Sequence, residues 1–390
     1  MYKNILIPLD NSDYSNSAAD LGLRIAKDFG STLTFSHVYA ARLHDDRFRQ
    51  MESGLPPKYQ EEKEMQRQRE VHDSLITKGL QIISDSYLDV FEKRCSRAGI
   101  SYNRKMLEGK NYLEIVKDVK GNGYDLVVMG ALGLGVVDTS TIGSVCERVM
   151  RRINTDLLIA KDSRIEGRYI VGIDGSPNSF GGLMSAIAIS RFTGGEVEAV
   201  AAFDPDFHYT AFKSIAGVLS EEAGKIFKFK EQEKLHEEII DKGLAKIYQD
   251  HLERAAVLAK KEGVTIKTTL LSGKPYDQII KYVEKTKPSL LVMGRVGVHA
   301  APGLDIGSNT ESCARSAACN ILIAGREAHP PVAEQKKGDI PWSDEAEQLI
   351  GKIPQMARGM VRRMVEEFAA KNGYSKITTE VMLKAREMMH

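Results

Sequence analysis

The chain has 390 residues, 42% of them apolar and 27% charged, with a formal net charge of +1, which is ordinary for a globular protein. The length predicts two or three domains. The near-neutral charge gives no general reason to expect nucleic acid or a membrane surface as a partner, and no apolar run approaches the roughly 18 residues that a membrane-spanning helix needs. The four cysteines form no CxxC pair, so we expect reduced thiols in a cytoplasmic protein.

The N-terminal part of the chain predicts strands that alternate with helices. The strands are predicted at 5–9, 32–39, 101–107, 125–130 and 157–160, and the helices at 14–28, 71–97, 112–119 and 144–152. The polar stretch 41–70 interrupts the pattern and predicts an excursion over the surface. Alternation of this kind favours a parallel sheet with helices on both faces.

The whole pattern then starts again. A constant offset of 164 positions maps Asp10 onto Asp174 and Gly143 onto Gly307. An offset that holds across an entire unit indicates an internal repeat. We therefore predict an α/β fold of two tandem five-stranded parallel-sheet domains followed by a small all-α domain. The predicted boundaries are 1–162 and 166–326 for the repeats, 327–340 for a polar linker and 341–390 for the helical domain.

A glycine-rich stretch follows the fourth predicted strand of each repeat. It reads Gly-x2-Gly-x9-Gly-Ser in both copies, from Gly130 to Ser144 and from Gly294 to Ser308. Glycine lets a backbone approach a phosphate closely, because it has no Cβ and accepts positive φ. The helix start after each Gly-Ser pair favours an anion. There is no Walker A lysine and no dinucleotide fingerprint, so the two matching copies predict a different kind of phosphate site.

An aspartate ends the first predicted strand of each repeat, Asp10 and Asp174. In an open α/β sheet, ligands gather at the carboxyl ends of the strands, where a carboxylate accepts hydrogen bonds from ribose hydroxyls. The same position also suits the N-cap of the following helix. Taken alone, the sequence leaves the two roles equally open.

The strand that ends in Asp10, the glycine loop and their second copies resemble the universal stress protein family, in its nucleotide-binding branch, over about residues 1–326. The resemblance implies a flavodoxin-like or Rossmann-like layering of the adenine nucleotide alpha hydrolase-like type. It also implies ATP, with Mg²⁺, held between the first and fourth strands, and pairing through edge strands, either within the chain or in a homodimer.

The resemblance further implies a role for particular residues. Asp10 would face the ribose, and the backbone at Val38 would meet the adenine. The residues that would hold the phosphates in the first repeat are Gly130, Gly133, Gly143, Ser144 and Val145. The corresponding positions of the second repeat are Asp174, Ala202, Gly294, Gly297, Gly307, Ser308 and Asn309. The second repeat departs from the pattern, because His299 and Pro302 fall inside its loop and Asn309 replaces a valine.

The last 50 residues predict two or three short helices, with Ser343 and Thr378 as N-caps and an apolar stripe from Met356 to Phe368. This piece resembles the C-terminal helical domain of the light-independent protochlorophyllide reductase B subunit. The residues that carry the resemblance include Trp342-Ser343, Glu345-Ala346, Ile353-Pro354, Arg358, Val361-Arg362, Glu366, Gly373 and Ile377-Thr378. The chain has no pattern of cluster-ligating cysteines, so the resemblance does not imply reductase activity. We interpret this piece as a helical docking domain in preference to a tetrapyrrole contact.

Our leading hypothesis is a tandem universal stress protein that binds ATP and acts as a stress-response or metabolic regulator, with the helical domain docking a protein partner. Two alternatives stay open. One is a slow ATPase or phosphotransferase, for which the sequence offers no residue to orient water or an acceptor. The other is a non-catalytic scaffold for a tetrapyrrole-related enzyme. We predict no catalytic residue and no metal-ligating cluster of side chains.

Overall fold

The computed structural model describes residues 1–135, 141–205, 242–301, 303–330, 340–351 and 355–387. The chain divides into two compact units, Met1–His329 and Pro330–His390. The larger unit contains both repeats, and the smaller one contains the C-terminal helices. The predicted loop residues 136–140 and Pro302, residues 206–241 of the second repeat and most of the linker lie outside the described residues.

The first repeat alternates strands and helices as predicted. Its elements are β1 (Asn4–Pro8), α1 (Asp13–Phe29), β2 (Thr32–Tyr39), α2 (Ala41–Met51), α3 (Glu62–Ala98), β3 (Tyr102–Glu108), α4 (Asn111–Asn122), β4 (Leu126–Gly130), α5 (Ser144–Met150) and β5 (Asp156–Ala160). Ser12 caps α1, because its side chain accepts a hydrogen bond from the backbone N–H of Ser15. Gly30 ends α1 with a left-handed φ of 64°, a conformation that glycine accepts at the end of a helix.

The polar stretch 41–70 is largely helical, and it differs from the prediction only in where the long helix begins. The long helix α3 begins at Glu62, nine residues before the predicted start at Val71. Glutamate, lysine, glutamine and arginine form helices well despite their polarity. Met65 is 6% exposed, and Arg69 pairs with Glu52 at 2.6 Å. Local propensity and these contacts therefore extend the helix N-terminally into the polar surface excursion.

The second repeat has the same order of elements. They are β6 (Arg168–Gly172), α6 (Pro177–Thr193), β7 (Glu196–Phe203), α7 (Lys242–Lys261), β8 (Lys267–Ser272), α8 (Pro275–Thr286), β9 (Leu290–Gly294), α9 (Ser308–Ser316) and β10 (Asn320–Ala324). Ser176 caps α6 as Ser12 caps α1, with its side chain accepting from the N–H of Ser179. The α/β fold class predicted from the sequence is confirmed.

Within the described residues, the strands form one ten-stranded sheet in the order β3-β2-β1-β4-β5-β10-β9-β6-β7-β8. Each repeat supplies a five-stranded parallel half. The two halves join where β5 and β10 run antiparallel, with Leu322 opposite Leu158. This seam is the edge-strand pairing within the chain that the resemblance implies. Because the halves run in opposite directions, their carboxyl edges lie at opposite edges of the sheet.

Helices cover both faces of the sheet. On one face, α1, α3, α6 and α7 pack over a continuous core that includes Leu21, Phe91, Leu183 and Leu252. On the other face, α4, α5, α8 and α9 pack over a second core that includes Val116, Val149, Val283 and Ala314. Each core runs through both repeats, so burial of apolar surface ties the repeats into one unit.

Buried polar contacts close the seam reciprocally. Asp156, at the start of β5, accepts from the backbone N–H of Gly325 at 2.9 Å and of Arg326 at 3.1 Å. Asn320, the residue that matches Asp156 in the second repeat, accepts from the N–H of Lys161 at 2.8 Å and of Asp162 at 3.0 Å. Each repeat therefore anchors the residues that follow the last strand of the other, as in a two-fold interface.

Ion pairs repeat this symmetry next to the seam. Arg151 pairs with Glu311, and Arg315 pairs with Glu147, and the offset of 164 relates both the two arginines and the two glutamates. Arg151 also pairs with Asp305 at 3.4 Å. These side chains are partly exposed, so they contribute less to stability than the buried contacts of Asp156.

The smaller unit is helical, as predicted, and its described elements are α10 (Asp344–Gly351), α11 (Gln355–Lys371) and α12 (Thr379–Glu387). Ser343 caps α10, because its Oγ accepts from the N–H of Ala346 at 3.2 Å, and Thr378 accepts similarly from Val381 at 3.5 Å. Trp342 donates from Nε1 to Glu366 at 3.1 Å. A small core of its own includes Ile350, Val365, Ile377 and Val381.

The seam yields a stability prediction. Asp156 is 2% exposed and accepts from the Nε of Arg326 at 2.6 Å. Replacing it in Asp156→Ala leaves the half-buried guanidinium and two N–H groups without their acceptor. We expect the free energy of unfolding in urea to fall by about 3–5 kcal/mol. Asp156→Asn should lose less, because an amide oxygen still accepts, as it does at Asn320.

The matched control is Asp162→Ala, which removes another carboxylate from the same seam. The Asp162 side chain is 44% exposed, so we expect the free energy of unfolding to stay close to that of the unmodified chain. Equal losses for Asp156→Ala and Asp162→Ala would contradict the anchoring role of Asp156.

Candidate functional site

A cleft opens at the carboxyl edge of each half-sheet, where the chain leaves neighbouring strands in opposite directions. After β1 the chain enters α1 on one face, and after β4 it reaches α5 on the other face. Such switch points form crevices in open α/β sheets. The first cleft, between β1 and β4, has a volume of about 700 Å³. The second, between β6 and β9, has a volume of about 230 Å³.

The structure brings most of the sequence-predicted residues together. The lining of the first cleft includes Asp10, Gly130, Gly133, Gly143, Ser144 and Val145. The lining of the second includes Asp174, Ala202, Gly294, Gly297, Gly307, Ser308 and Asn309. Val38 is the exception, because its side chain is buried in the core of the α4 and α5 face.

The peptide groups of Val38 nevertheless face the β1 side of β2. In a parallel ladder, alternate residues bond to opposite neighbours. Ser36 accepts from the N–H of Leu9 in the β1 direction at 2.7 Å, and Tyr39 accepts from Gly109 on the other side at 2.9 Å. Val38 therefore faces the direction of β1, past the residue where β1 ends. Its backbone, and not its side chain, is the part that a ligand can meet.

Asp10 does not cap the helix that follows it, because Ser12 does. Its Oδ1 accepts from the backbone N–H of Ser12 at 3.0 Å and from the Ser12 hydroxyl at 2.6 Å. Asn11 bridges the two residues with a φ of 62°, a left-handed conformation that asparagine tolerates. These contacts fix the carboxylate and leave Oδ2 directed at Gly133. Of the two roles open in the sequence, the cap is thereby removed.

Asp174 has the same arrangement in the second repeat. Its Oδ1 accepts from the N–H and hydroxyl of Ser176 at 3.0 and 2.6 Å, and Gly175 takes the left-handed position with a φ of 87°. Its Oδ2 also accepts from the N–H of Val298 at 3.2 Å. The glycine loop of the second repeat therefore closes directly onto the carboxylate.

The loop glycines are required for close approach and not for unusual φ. The three glycines that define the motif have no positive φ in either repeat. The sequence predicts two reasons for these glycines, the missing Cβ and a positive φ, and the second of these is wrong. A Cβ at Gly130 would lie 2.7 Å from the backbone nitrogen of Ser15, so this glycine lets α1 pack on β4. A Cβ at Gly133 would lie 2.6 Å from Oδ2 of Asp10, so this one keeps the carboxylate accessible.

The last glycine of each motif starts a helix. Gly143 is the N-cap of α5 and donates its N–H to Ala131 at 2.7 Å. Gly307 is the N-cap of α9 and donates to Arg295 at 2.8 Å. These bonds fold each loop back on itself, so that the adjoining serine lies at the cleft.

Arg295 distinguishes the second loop, because the matching residue of the first is Ala131. Its side chain is buried, with 4% of the residue exposed. Its Nη1 donates to the carbonyl of Met150, at the end of α5, at 2.8 Å, and to that of Asp305 at 3.3 Å. Burial lowers the pKa of Arg295 to about 10, which still leaves it cationic at neutral pH. The second loop is thereby fixed to the first repeat.

Residues of α3, together with His37 of β2, form a wall of the first cleft, and a residue of α7 forms a wall of the second. None of them belongs to the site predicted from the sequence. Leu80, Ile83, Tyr87 and His37 line the first cleft, whereas Tyr248 lines the second. Leu80, Ile83 and Tyr87 recur at helical spacing on one face of α3, which is the signal that could have marked them. Helical spacing alone does not distinguish residues of a cleft wall from residues of an ordinary core.

One histidine lines the second cleft, and another packs on the residue that follows Asp174. His299 lies in its lining. The ring of His251 packs so closely on Gly175 that a Cβ there would lie 2.5 Å from its Cε1, and burial lowers the pKa of His251. Side chains of His, Cys, Asp and Glu do not assemble into a metal-binding group anywhere in the described part of the chain.

The Universal stress protein family matches the chain twice, over residues 1–161 and 167–325, with the two clefts inside the matched segments. The chain belongs to the universal stress protein family. A universal stress protein of Methanocaldococcus jannaschii is 31% identical over 167 residues, which span 43% of this chain and 86% of the relative. The crystal structure of a universal stress protein from Archaeoglobus fulgidus, with 15% identity, covers 82% of this chain and 97% of its own, with a TM-score of 0.52. These matches confirm the resemblance that the sequence indicates.

The C-terminal unit of this universal stress protein matches a different family, described as Proto-chlorophyllide reductase 57 kD subunit, over residues 342–386. The light-independent protochlorophyllide reductase B subunit of Chlorobium luteolum is 39% identical over 59 residues, which span 15% of this chain. The match covers only 11% of that relative, so it identifies a shared domain and does not carry the relative's activity to this chain.

The close approach at Gly130 yields a second stability prediction. In Gly130→Ala, the new Cβ meets the backbone of α1 and must push the helix from β4, so we expect a loss of about 1–3 kcal/mol in the free energy of unfolding. Gly135→Ala is the control in the same loop, because a Cβ at that position would have no atom within 4 Å. Chemical denaturation of both variants checks this, and equal stability would contradict the packing role of Gly130.

Proposed function

We propose that this universal stress protein binds ATP in the cleft of its first repeat and acts as a nucleotide-dependent regulator of a stress or metabolic response. The observation that carries the proposal is a cleft of about 700 Å³ at the switch point of a parallel sheet. That volume lies within the roughly 300–1,000 Å³ of small-molecule sites. Its lining combines the fixed carboxylate of Asp10, the backbone of the loops that follow β1 and β4, and an apolar wall from α3.

The residues present suit a nucleotide with Mg²⁺. The missing Cβ of Gly133 keeps Oδ2 of Asp10 open to ribose hydroxyls. The peptide groups of Val38 would pair with the adenine edge. The loop from Gly130 to Val145 would lie along the phosphates, with the hydroxyl of Ser144 as a donor. Mg²⁺ would neutralise the phosphates and take most of its ligands from them and from water.

The second cleft is proposed as a weaker site. Its volume of about 230 Å³ is below the usual range for small-molecule sites. Oδ2 of Asp174 is already engaged by the N–H of Val298, and Tyr248 lies in the lining. A nucleotide would have to displace these groups, which lowers its net affinity.

We favour a binding protein over the slow ATPase or phosphotransferase. The carboxylate of Asp10 is held by Ser12, on the side proposed for the ribose. Burial raises the pKa of Cys146, which also lines the first cleft, to about 12, so its thiol is a poor nucleophile at neutral pH. No feature of the described cleft favours hydrolysis specifically. Binding would instead order the glycine loops, and that ordering is the proposed signal.

The remaining assignments concern partners and location. We propose that residues 341–390 dock a protein partner, supported by a separate core in this unit, and that the protein is cytoplasmic. No helix in the described ranges is both long and apolar enough to span a bilayer. A homodimer would need a surface other than β5 and β10, because these strands already pair with each other. Pull-downs with the full chain and with a chain lacking residues 341–390 test the docking assignment, which fails if both capture the same partners.

Calorimetric titration with Mg·ATP tests the binding proposal. We expect one strong site in the unmodified chain. In Gly133→Ala, the new Cβ lies 2.6 Å from Oδ2 of Asp10 and displaces the carboxylate. We therefore expect the strong site to weaken at least about tenfold, which corresponds to roughly 1.4 kcal/mol.

Gly297→Ala is the matched control, because its Cβ lies 2.7 Å from Oδ2 of Asp174 in the other repeat. It should leave the strong site unchanged. Absence of ATP binding in the unmodified chain would reject the proposal, and equal weakening by both variants would reject the assignment to the first cleft. Multiple-turnover phosphate release that is lost in Gly133→Ala would restore the enzyme alternative.

A further inference from the structure

His37 projects from β2 into the lining of the first cleft, and its ring is held from two sides by α3. Its Nδ1 lies 2.8 Å from the hydroxyl of Ser84, which is fully buried. The ring of Tyr87 meets the imidazole edge to face, with centroids 5.1 Å apart and planes at 89°. The side chain is therefore fixed in one orientation before any ligand arrives.

The hydrogen bonds of Ser84 determine the tautomer. The Ser84 hydroxyl also lies 2.7 Å from the carbonyl of Leu80, one helical turn earlier. A hydroxyl has one proton to donate, and a carbonyl can only accept. Both contacts are hydrogen bonds only if Ser84 donates to Leu80 and His37 donates from Nδ1 to Ser84. In that arrangement Nε2 carries no proton and is a hydrogen-bond acceptor.

Nε2 has no partner among the described residues, and it is not one of their buried atoms. Because the Nδ1 edge is turned toward α3, the Nε2 edge is the one that meets the cleft. Burial lowers the pKa of His37, while the nearby charge of Asp10 acts in the opposite direction. The imidazole is therefore neutral at neutral pH, which preserves the acceptor.

The second repeat lacks this device. The offset of 164 places Ala201 at the position of His37, Tyr248 at that of Ser84 and His251 at that of Tyr87. The chain thus retains both clefts, but a histidine bonded to a serine hydroxyl occupies these positions in the first repeat and not in the second.

We propose that His37 is a specificity-determining residue of the first cleft, and that its Nε2 accepts a hydrogen bond from a donor group on the nucleoside part of the ligand. The inference rests on the proposed binding of ATP in this cleft. Two groups of ATP have the required chemistry, the exocyclic amino group of the base and a ribose hydroxyl. A base with a carbonyl in place of the amino group would turn an acceptor toward an acceptor.

The test compares ligands that differ by single donors. Affinities of the full chain are measured by calorimetry for Mg²⁺ complexes of ATP, inosine triphosphate, 2′-deoxy-ATP and 3′-deoxy-ATP. In His37→Phe, which keeps an aromatic ring against Tyr87 but has no acceptor, ATP should bind about tenfold more weakly. One analogue lacks the group that donates to His37, and this analogue should bind the unmodified chain and His37→Phe with equal affinity. Which analogue behaves in this way assigns the donor to the base or to the ribose.

His37→Gln provides the second variant, because its amide oxygen can replace the acceptor. This variant should recover most of the affinity for ATP that His37→Phe loses. It should also again bind ATP more tightly than the analogue whose affinity His37→Phe leaves unchanged. Equal effects of His37→Phe on all four ligands, or no effect on any, would overturn the inference while leaving the proposed function intact. Failure of the unmodified chain to bind any of the four would instead reject the proposed function, and the inference with it.

Discussion

The antiparallel contact between β5 and β10 is the constraint on which the rest of the molecule depends. Each repeat alone would expose the outer edge of its last strand, and an unpaired edge is a site for association with other chains. Joining the two edges removes both and merges the helical layers into two continuous cores. The buried carboxylate of Asp156 and the amide of Asn320 then anchor the residues after each final strand. The chain is in effect an internal dimer.

This arrangement also determines where the clefts lie. Because the halves of the sheet run in opposite directions, each cleft opens beside the amino edge of the other repeat. The contact of Arg295 with the carbonyl of Met150 is a direct result, since it joins the loop of the second cleft to the end of a helix from the first repeat. The first loop has Ala131 in the matching place, and its methyl side chain cannot donate such a hydrogen bond.

The two clefts share a frame and differ in their walls. Both keep an aspartate fixed by a serine two residues later, and both keep glycines where a Cβ would strike the aspartate or the first helix. The first adds His37 and the apolar face of α3, which leave room for a ligand. In the second cleft, Tyr248 and the loop N–H of Val298, which donates to Asp174, occupy the corresponding space. The two repeats therefore share the frame of the cleft and differ in its walls.

The sequence by itself determined the repeat, the order of strands and the six motif glycines, because these depend on local periodicity, propensity and spacing. It could not place α2 and the start of α3, where helix propensity and the burial of Met65 outweigh polarity. Only the tertiary structure removed the cap role of Asp10, since that role depends on which side chain reaches the N–H of Ser15. It alone brought His37, Ser84 and Tyr87 together, because β2 and α3 meet through packing across the sheet and no spacing along the chain encodes that contact.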